Sequence, residues 1–253
     1  MSILELLRHT RDTFRKRKEL PFALPRIRPI GFRGIRMEWS SDNAWNIQGS
    51  VFGSIRVMGR RNRVELGQGA IFSGHVTIEG SDNVVIIGCN CRISAKIMIK
   101  GDKQTVSIGE ETTCQSVHLL CQENCDITIG RACMFSRDVE IRTTDAHSLV
   151  DRKTGQRLNR PASIVIGDHV WIGVGALISK GSRIAEDSVV GAKSFVNKSF
   201  EESGIVLAGT PAIIIRRGVT WNRGRQCKFS DEELGAWRVP GAQGGEPRND
   251  PLA

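Results

Sequence analysis

His147 is the residue of this sequence whose position most favours acid–base chemistry. An imidazole exchanges its proton near neutral pH, which suits a histidine to general-base catalysis. His147 is the lone histidine in the longest interval between regularly spaced apolar residues, from Ile141 to Ile166. Asp145, two residues earlier, could orient and charge-stabilise the imidazole, or its side chain could cap the loop. A long loop in a strict repeat is more often functional than structural, so the loop 142–163 is predicted to carry a catalytic site.

The other histidines and the cysteines give weaker signals. His118 occupies a position of a sequence repeat that small residues fill in most other units. Such departures from a repeat are enriched at functional sites, and a buried structural histidine is the alternative. His169 is predicted to lie on the surface. The seven cysteines are odd in number and lack the paired spacing of a zinc site. They are therefore predicted to fill a core in a reducing compartment, with no metal or redox role.

Apolar residues recur at fixed spacing through the middle of the chain. The dipeptide Leu66-Gly67 is followed at intervals of 21 residues by Ile87-Gly88, Ile108-Gly109 and Ile129-Gly130. Apolar residues or cysteines follow at +6 and +12, in the pairs Phe72 and Ile78, Ile93 and Ile99, Cys114 and Leu120, and Phe135 and Ile141. The same spacing extends back to Trp45, Val51 and Val57, and it resumes after the loop at Ile166, Ile172, Ile178, Ile184, Val190 and Val196.

This repeat predicts a solenoid of short parallel strands. Positions six apart face different sides of an α-helix, whereas three steps of strand plus tight turn make one triangular coil with the repeated residue inside. The residues between successive units have turn compositions, as in Gly59-Arg-Arg-Asn62, Gly80-Ser-Asp-Asn83 and Gly101-Asp-Lys-Gln104. The predicted fold class is therefore all-β, with residues 66, 87, 108 and 129 in one inward column. Handedness does not follow from the spacing.

Residues 144–217 resemble the hexapeptide-repeat acyltransferases, a family that includes maltose and galactoside acetyltransferases and many capsule and lipopolysaccharide O-acetyltransferases. The matching segments are Thr144-Asp-Ala-His-Ser148, Ile166-Gly-Asp-His-Val-Trp-Ile-Gly-Val-Gly-Ala176, Val190-Gly-Ala-Lys-Ser194 and Ala208-Gly-Thr-Pro-Ala-Ile-Ile-Ile-Arg-Arg217. The resemblance implies a left-handed parallel β-helix, a homotrimer with its active sites between subunits, and acetyl-CoA as the acyl donor.

The resemblance also assigns roles to individual residues. It makes His147 the base that takes the proton of an acceptor hydroxyl, with Asp145 as its partner. The expected acetyl-CoA contacts are Trp171 and Gly173 at the thioester beside an amide oxyanion donor, Val174 and Ala192 along the pantetheine, and Asn197, Lys198, Arg216 and Arg217 at the nucleotide and phosphates. Galactoside-type enzymes carry an asparagine where this chain has Cys114-Gln-Ser-Val-His118, so Gln115 and His118 are the candidate contacts to a different acceptor.

The predicted function is O-acetylation of a sugar hydroxyl in a bacterial surface polysaccharide or its precursor. N-acetylation of an amino-sugar nucleotide would use the same histidine and cofactor slot, and the sequence leaves it open. Two distant alternatives are a non-catalytic binding scaffold and a trimeric zinc carbonic anhydrase. The latter needs two histidines about five residues apart, and no such pair occurs.

Three segments are predicted: a basic N-terminal arm at 1–40, the β-helix acyltransferase domain at 41–217 and a partly disordered C-terminal extension at 218–253. Residues 1–38 hold ten lysines and arginines against four acids, in a chain of net charge +9. An amphipathic helix expected at 2–19 would pack against the trimer or contact the inner membrane surface. Nucleic-acid binding is not predicted, because no aromatic platform accompanies the basic arm. With neither an apolar span nor a signal sequence, a cytoplasmic location is expected.

Overall fold

The computed structural model describes residues 36–38 and 41–239, and over this range the chain is a parallel β-solenoid. Its strands are, in chain order, β1 (Arg36–Glu38), β2 (Ala44–Ile47), β3 (Ser50–Met58), β4 (Arg63–Leu66), β5 (Ile71–Glu79), β6 (Val84–Ile87), β7 (Arg92–Lys100), β8 (Thr105–Ile108), β9 (Thr113–Gln122), β10 (Ile127–Ile129), β11 (Met134–Phe135), β12 (Val139–Arg142), β13 (Ile164–Ile166), β14 (Trp171–Ile172), β15 (Leu177–Ile178), β16 (Arg183–Ile184), β17 (Val189–Val190), β18 (Phe195–Val196), β19 (Ser199–Phe200), β20 (Ile205–Gly209) and β21 (Ala212–Arg217). One helix, α1 (Asp231–Gly235), and a 3₁₀ turn at Ala236–Arg238 follow.

Each coil contributes to three faces. The first and second faces share the long strands β3, β5, β7 and β9, which bend from one face to the other. Beyond these strands the first face continues through β11, β14, β17 and β20, and the second face continues through β12, β15 and β18. The third face is a separate eight-stranded sheet of β2, β4, β6, β8, β10, β13, β16 and β19. Pairing between coils is parallel throughout, and β20 and β21 close the solenoid as an antiparallel hairpin.

The interior consists of columns of apolar side chains stacked from coil to coil. Leu66, Ile87, Ile108, Ile129 and Ile166 pair in succession on the third face and are all buried, as the spacing predicts. A second column runs through Phe72, Ile93, Cys114, Phe135 and Ile172 on the first face. Such columns bury each coil on its neighbours, so stability comes from stacking rather than from contacts distant along the solenoid.

The predicted column through Ile99, Leu120 and Ile141 is wrong. The register shifts by one residue in β9, so Cys121 pairs with Ile99, and Leu119 with Ile141. Leu120 lies between them and faces the opposite side of the strand. Lys100 pairs with Gln122, and Val106 with Ile127, so the coil that follows β9 turns with one residue fewer than the coil that follows β7. This restores the 21-residue interval and hides the bulge from a periodicity count.

The polar corners of the 21-residue coils contain a buried ladder of amides. Asn83 donates from its backbone to the Asn62 side-chain oxygen over 2.9 Å, and Gln104 donates in the same way to Asn83. The Asn83 amide nitrogen also donates to the carbonyl of Gly101. The last residue of each corner motif is thus buried and hydrogen-bonded, which satisfies backbone groups that a turn would otherwise leave unpaired.

The ends of the predicted domains are only partly covered by the structure. The strand β1 pairs with β3, so the solenoid begins before residue 41. The amphipathic helix expected at 2–19 and the end of the C-terminal tail lie outside the described residues. The helix α1 begins after Ser230, with a capping box between Ser230 and Glu233. No helix within the described part of the chain has the length and apolar character needed to cross a membrane.

Candidate active site

The loop that carries His147 leaves the solenoid after β12 on the second face and returns at β13 on the third. Residues 145–150 are exposed, and a bridge between Val150 and Arg157 makes the outer part of the loop a short hairpin. Asn159 organises its base: the amide nitrogen donates to the His147 carbonyl over 2.8 Å, and the amide oxygen accepts from the backbone of Leu149. The imidazole therefore stands at the surface on a backbone held in place.

Asp145 is engaged by residues other than His147. Its carboxylate accepts a 2.8 Å hydrogen bond from Asn159 and forms an ion pair with Lys180, in the turn after β15. These two contacts lower the pKa of Asp145, with Lys180 contributing most. Among the described residues no hydrogen bond joins this carboxylate to the imidazole of His147, so the contacts favour the second predicted role, that of fixing the loop.

Glu123 anchors the other side of the loop. Its carboxylate accepts hydrogen bonds from Arg157 and from the hydroxyl of Thr144. Both contacts lower the pKa of Glu123, that of Arg157 most. Neither Glu123 nor Asn159 stood out in the sequence, because their partners lie 34 and 14 residues away.

The residues expected along the thioester and pantetheine are neighbours. Trp171, 39% exposed, begins β14 on the first face. Gly173 follows at the end of that face, and a Cβ atom there would lie 2.7 Å from the backbone nitrogen of Ala192 on the next coil. Val174 accepts a backbone hydrogen bond from Lys193, which places Val174 and Ala192 side by side. The Gly173 amide already donates to Val190, so it serves the coil ladder.

The residues expected near the phosphates occupy the last coil, and all four are exposed. Asn197 and Lys198 follow β18, and the Lys198 ammonium lies 5.4 Å from the ring centre of Phe200. Arg216 and Arg217 end the hairpin strand β21, where Arg217 donates to Glu202 over 3.1 Å. The two pairs thus come from different elements at the same end of the solenoid.

Comparison with known proteins gives the chain its relatives, although no family model matches it. The polysialic acid O-acetyltransferase of Neisseria meningitidis is 34% identical over 170 residues, which is 67% of this chain and 79% of that protein. The polysialic acid O-acetyltransferase of Escherichia coli O1:K1 is 37% identical over 128 residues; the match spans 51% of this chain but only 41% of the longer relative.

Solved structures agree with these relatives. The crystal structure of the polysialic acid O-acetyltransferase OatWY superposes with a TM-score of 0.70 at 26% identity, over 78% of this chain and 93% of the other. The polySia-specific acetyltransferase NeuO gives 0.67 at 28% identity, over 78% and 85%. The chain belongs to the hexapeptide-repeat acetyltransferases. Its solenoid is accordingly the left-handed parallel β-helix of that family.

The predicted site residues lie on different faces of the solenoid. Trp171 lies on the first face, whereas the loop of His147 leaves the end of the second. Gln115 and His118 lie at the corner between those faces. Gln115 is exposed at the β9 bulge, and His118 has a buried Nε2 atom with no hydrogen-bond partner among the described residues. Burial is the main cause that lowers the pKa of His118, and Glu140 opposes it.

The prediction that His169 is a surface residue is wrong. Its ring is 3% exposed and lies between the indoles of Trp221 and Trp237, with ring centres 4.2 and 4.6 Å away. Its Nδ1 atom is 2.8 Å from a carboxylate oxygen of Asp187, and its carbonyl accepts from the Trp221 indole. The extension expected to be partly disordered therefore packs firmly on the acetyltransferase solenoid as far as Trp237.

All seven cysteines are free thiols; five are buried, and Cys227 is exposed. Burial is the main cause that raises the pKa of Cys91, Cys121 and Cys133 to about 12. Such thiols stay protonated at neutral pH and act as apolar filling, as the sequence predicts. Within the described ranges, no three His, Cys, Asp or Glu side chains are grouped so that they could hold a metal ion.

Proposed function

We propose that this protein transfers the acetyl group of acetyl-CoA to a sugar hydroxyl of a bacterial surface polysaccharide or its precursor. The observation that carries the proposal is the exposed His147, on the one long loop that interrupts the described solenoid, in a chain of the hexapeptide-repeat acetyltransferases. Relatives named for polysialic acid O-acetylation support a carbohydrate acceptor. The reaction would take place in the cytoplasm, where acetyl-CoA is made.

His147 acts as the general base in this proposal. The imidazole accepts the proton of the acceptor hydroxyl while the oxygen attacks the thioester carbonyl. The tetrahedral intermediate then expels the thiolate of coenzyme A as the C–S bond breaks, and the imidazolium returns its proton to the sulfur. A positioned base of this kind contributes about 10²- to 10⁴-fold to the rate.

The donor slot consists of Trp171, Gly173, Val174 and Ala192. Gly173 lacks a side chain, so its coil lies close to the backbone of Ala192 on the next coil, and the exposed indole of Trp171 stands on the same side of the solenoid. Lys198 and Arg216 stand at the end of the solenoid, where charge-assisted hydrogen bonds to phosphates would form.

A homotrimer would complete the site. Because the loop and the donor slot occupy different faces of one chain, His147 of one protomer would act on acetyl-CoA held by its neighbour. Leu149, Val150 and Leu158 support this arrangement: these loop side chains are between 50% and 61% exposed, and a neighbouring solenoid would cover them.

The test is acetyl transfer with purified protein. Release of the coenzyme A thiol from acetyl-CoA, measured with and without surface glycans of the host, should depend on the glycan and rise with its concentration. Mass spectrometry should show an added acetyl group that mild alkali removes, because it is an ester. An alkali-stable acetyl group on an amino sugar would instead establish N-acetylation. Donor hydrolysis that no glycan stimulates would contradict the proposal.

A further inference from the structure

A polar groove of about 400 Å³ follows the corner between the first and second faces. Each of four successive coils gives it three consecutive residues: Ser73-Gly-His75, Ser94-Ala-Lys96, Ser116-Val-His118 and Asp138-Val-Glu140. Neighbouring coils are about 4.8 Å apart, so the groove extends for roughly 15 Å along the solenoid axis. Its lining repeats from coil to coil, which suits a ligand that is itself extended and repetitive.

The groove points towards the donor slot. The coil after Asp138 places Val174 and Gly175 at the same corner, where Gly175 donates to the carbonyl of Arg137 over 3.0 Å. The next coil continues the line, because Lys193 donates to Val174 over 2.8 Å. A molecule lying in the groove would therefore have one end beside the proposed position of the thioester.

The charges along the groove are not uniform. His75, Lys96 and His118 are laterally paired on the three coils farther from the donor slot, and Glu140 follows them on the nearest coil. His75 is oriented by a 2.8 Å contact between its Nδ1 and the Ser54 hydroxyl. The far part thus offers an ammonium and imidazoles to anionic groups, and the near part offers the carboxylates of Asp138 and Glu140 to sugar hydroxyls.

We propose that this groove is the acceptor site and that the acceptor is an extended anionic oligosaccharide. The inference rests on the proposed function and adds the acceptor's length and charge. The sugar to be acetylated lies over Asp138 and Glu140, whose oxygens accept hydrogen bonds from its hydroxyls. The preceding sugars run back over Ser116 and Ser94, and their carboxylates meet Lys96.

Equilibrium binding tests the inference without catalysis. Full-length protein is immobilised without acetyl-CoA, and binding is measured for polysialic acid, hyaluronate and polygalacturonate, with dextran as the neutral control. At least one anionic polymer should bind more tightly than dextran, and its affinity should fall with added salt. Oligomers of that polymer should bind more tightly as they lengthen from a single sugar to a few sugars, and then level off.

Two variants and a matched control locate the binding. Lys96→Glu should weaken binding of the anionic polymer by about tenfold or more, the worth of one charge-assisted contact. Lys100→Glu makes the same charge change on the same strand outside the groove, and its affinity should match the wild type closely. Ser116→Trp places a large side chain in the groove and should block oligomers while leaving a single sugar unaffected.

Other results would overturn the inference. No binding by any of the three anionic polymers, equal binding of dextran, or equal effects of the two lysine changes would each do so. The proposed function fails separately: anionic oligomers that bind through Lys96 but never stimulate release of coenzyme A would leave the groove assignment intact. If acetyl transfer requires His147 but is unchanged by the substitutions at Lys96 and Ser116, the proposed function stands and the groove assignment fails.

Discussion

His147 and His118 are the two histidines near the proposed chemistry, and their surroundings suit different tasks. His147 is exposed on its loop, whereas His118 is part-buried under the groove with a lowered pKa, caused mainly by burial. A neutral imidazole at the groove floor suits a hydrogen bond to a sugar hydroxyl. In the proposed reaction, proton removal falls to the exposed ring of His147.

Substitution separates these tasks. His147→Ala should lower kcat by about 10²- to 10⁴-fold with little change in coenzyme A affinity, and His118→Ala should mainly raise KM for the acceptor. Activity of the wild type should fall on acidification, since an imidazolium accepts no proton. Steady-state kinetics from roughly pH 5 to 9 measure both effects. If His147→Ala keeps more than about a tenth of the activity, the base is elsewhere and His118 becomes the candidate.

A methyl group added at Gly173 should destabilise the stacking of adjacent coils. In Gly173→Ala the new Cβ would stand 2.7 Å from the Ala192 backbone, so the coils must separate at a cost of about 1–3 kcal/mol. Gly191→Ala is the matched control, because its nearest neighbour is the Ala208 Cβ at 3.2 Å. Thermal unfolding should show the larger loss for Gly173→Ala, together with weaker coenzyme A binding. Equal losses of thermal stability in the two variants would mean that the coils move apart at Gly173 at little cost in free energy.

Lys198 and Arg216 carry the prediction for the phosphate end. Replacing both by Ala should weaken coenzyme A binding by about tenfold or more, since each would contribute charge-assisted hydrogen bonds to phosphate. Isothermal titration measures the change, and Arg183→Ala, an exposed cation of the third face, serves as control. Unchanged affinity in the double variant would place the phosphates elsewhere.

Residue environments were the part of the site that the sequence predicted least well. His147 and the donor residues followed from the motifs, because these lie within continuous segments. The burial of His169 did not, since it depends on Trp221 and Trp237, which fold back across more than 50 residues. Tryptophans in an otherwise polar C-terminal segment were the available signal. The contacts of Asp145 likewise required Lys180, 35 residues away, to be placed in space.

The loop that carries His147 is held to the solenoid by the carboxylates of Glu123 and Asp145, so we expect its order to depend on pH. Glu123 and Asp145 both have pKa values lowered in the folded loop. Their stabilising contribution is therefore fully present above the ordinary carboxyl pKa of about 4 and is lost as the pH falls through the lowered values. Acidification should free the loop before the stacked coils unfold.

Glu123→Gln tests this dependence. At neutral pH, hydrogen exchange in residues 143–159 should be faster in Glu123→Gln than in the wild type, because the Arg157 ion pair is lost. The difference between the two proteins, measured at equal pH so that intrinsic rates cancel, should shrink as the pH falls through the lowered pKa of Glu123. Glu79→Gln removes a carboxylate paired with Lys100 and should leave the loop unchanged. A difference that persists at acid pH would exclude the carboxylate as its cause.

At the scale of whole elements, the sequence predicted the solenoid, because an inward column requires the same residue class at the same interval in every coil. Two positions failed: the third column at the β9 bulge, where a shortened corner restores the period, and Trp45, because Leu66 pairs with Ile47 instead of with Trp45. A count of intervals cannot detect two compensating changes within one coil. Gln115 and Ser116, both exposed at the bulge, belong to the candidate acceptor contacts and to the groove, respectively.

At the scale of the molecule, the proposed active site is shared between protomers, and a mixture of two inactive chains tests this. His147→Ala and Trp171→Ala should each form inactive or nearly inactive trimers. Co-assembled at equal amounts, they should regain about a quarter of wild-type activity, because one interface in four would combine an intact loop with an intact indole. A monomer in sedimentation, or mixed trimers without regained activity, would contradict the shared site.

The aromatic stack around His169 gives the protein an optical reporter. Trp221 contacts the buried imidazole on one side, and its ring centre is 6.1 Å from that of Trp171, which borders the donor slot. Three of the five tryptophans therefore lie in one connected cluster. Intrinsic fluorescence should respond both when coenzyme A reaches Trp171 and when residues 219–239 detach. Trp237 lies in that segment and Trp171 does not, so the signal lost in Trp237→Phe would belong to detachment and the signal lost in Trp171→Phe to coenzyme A binding.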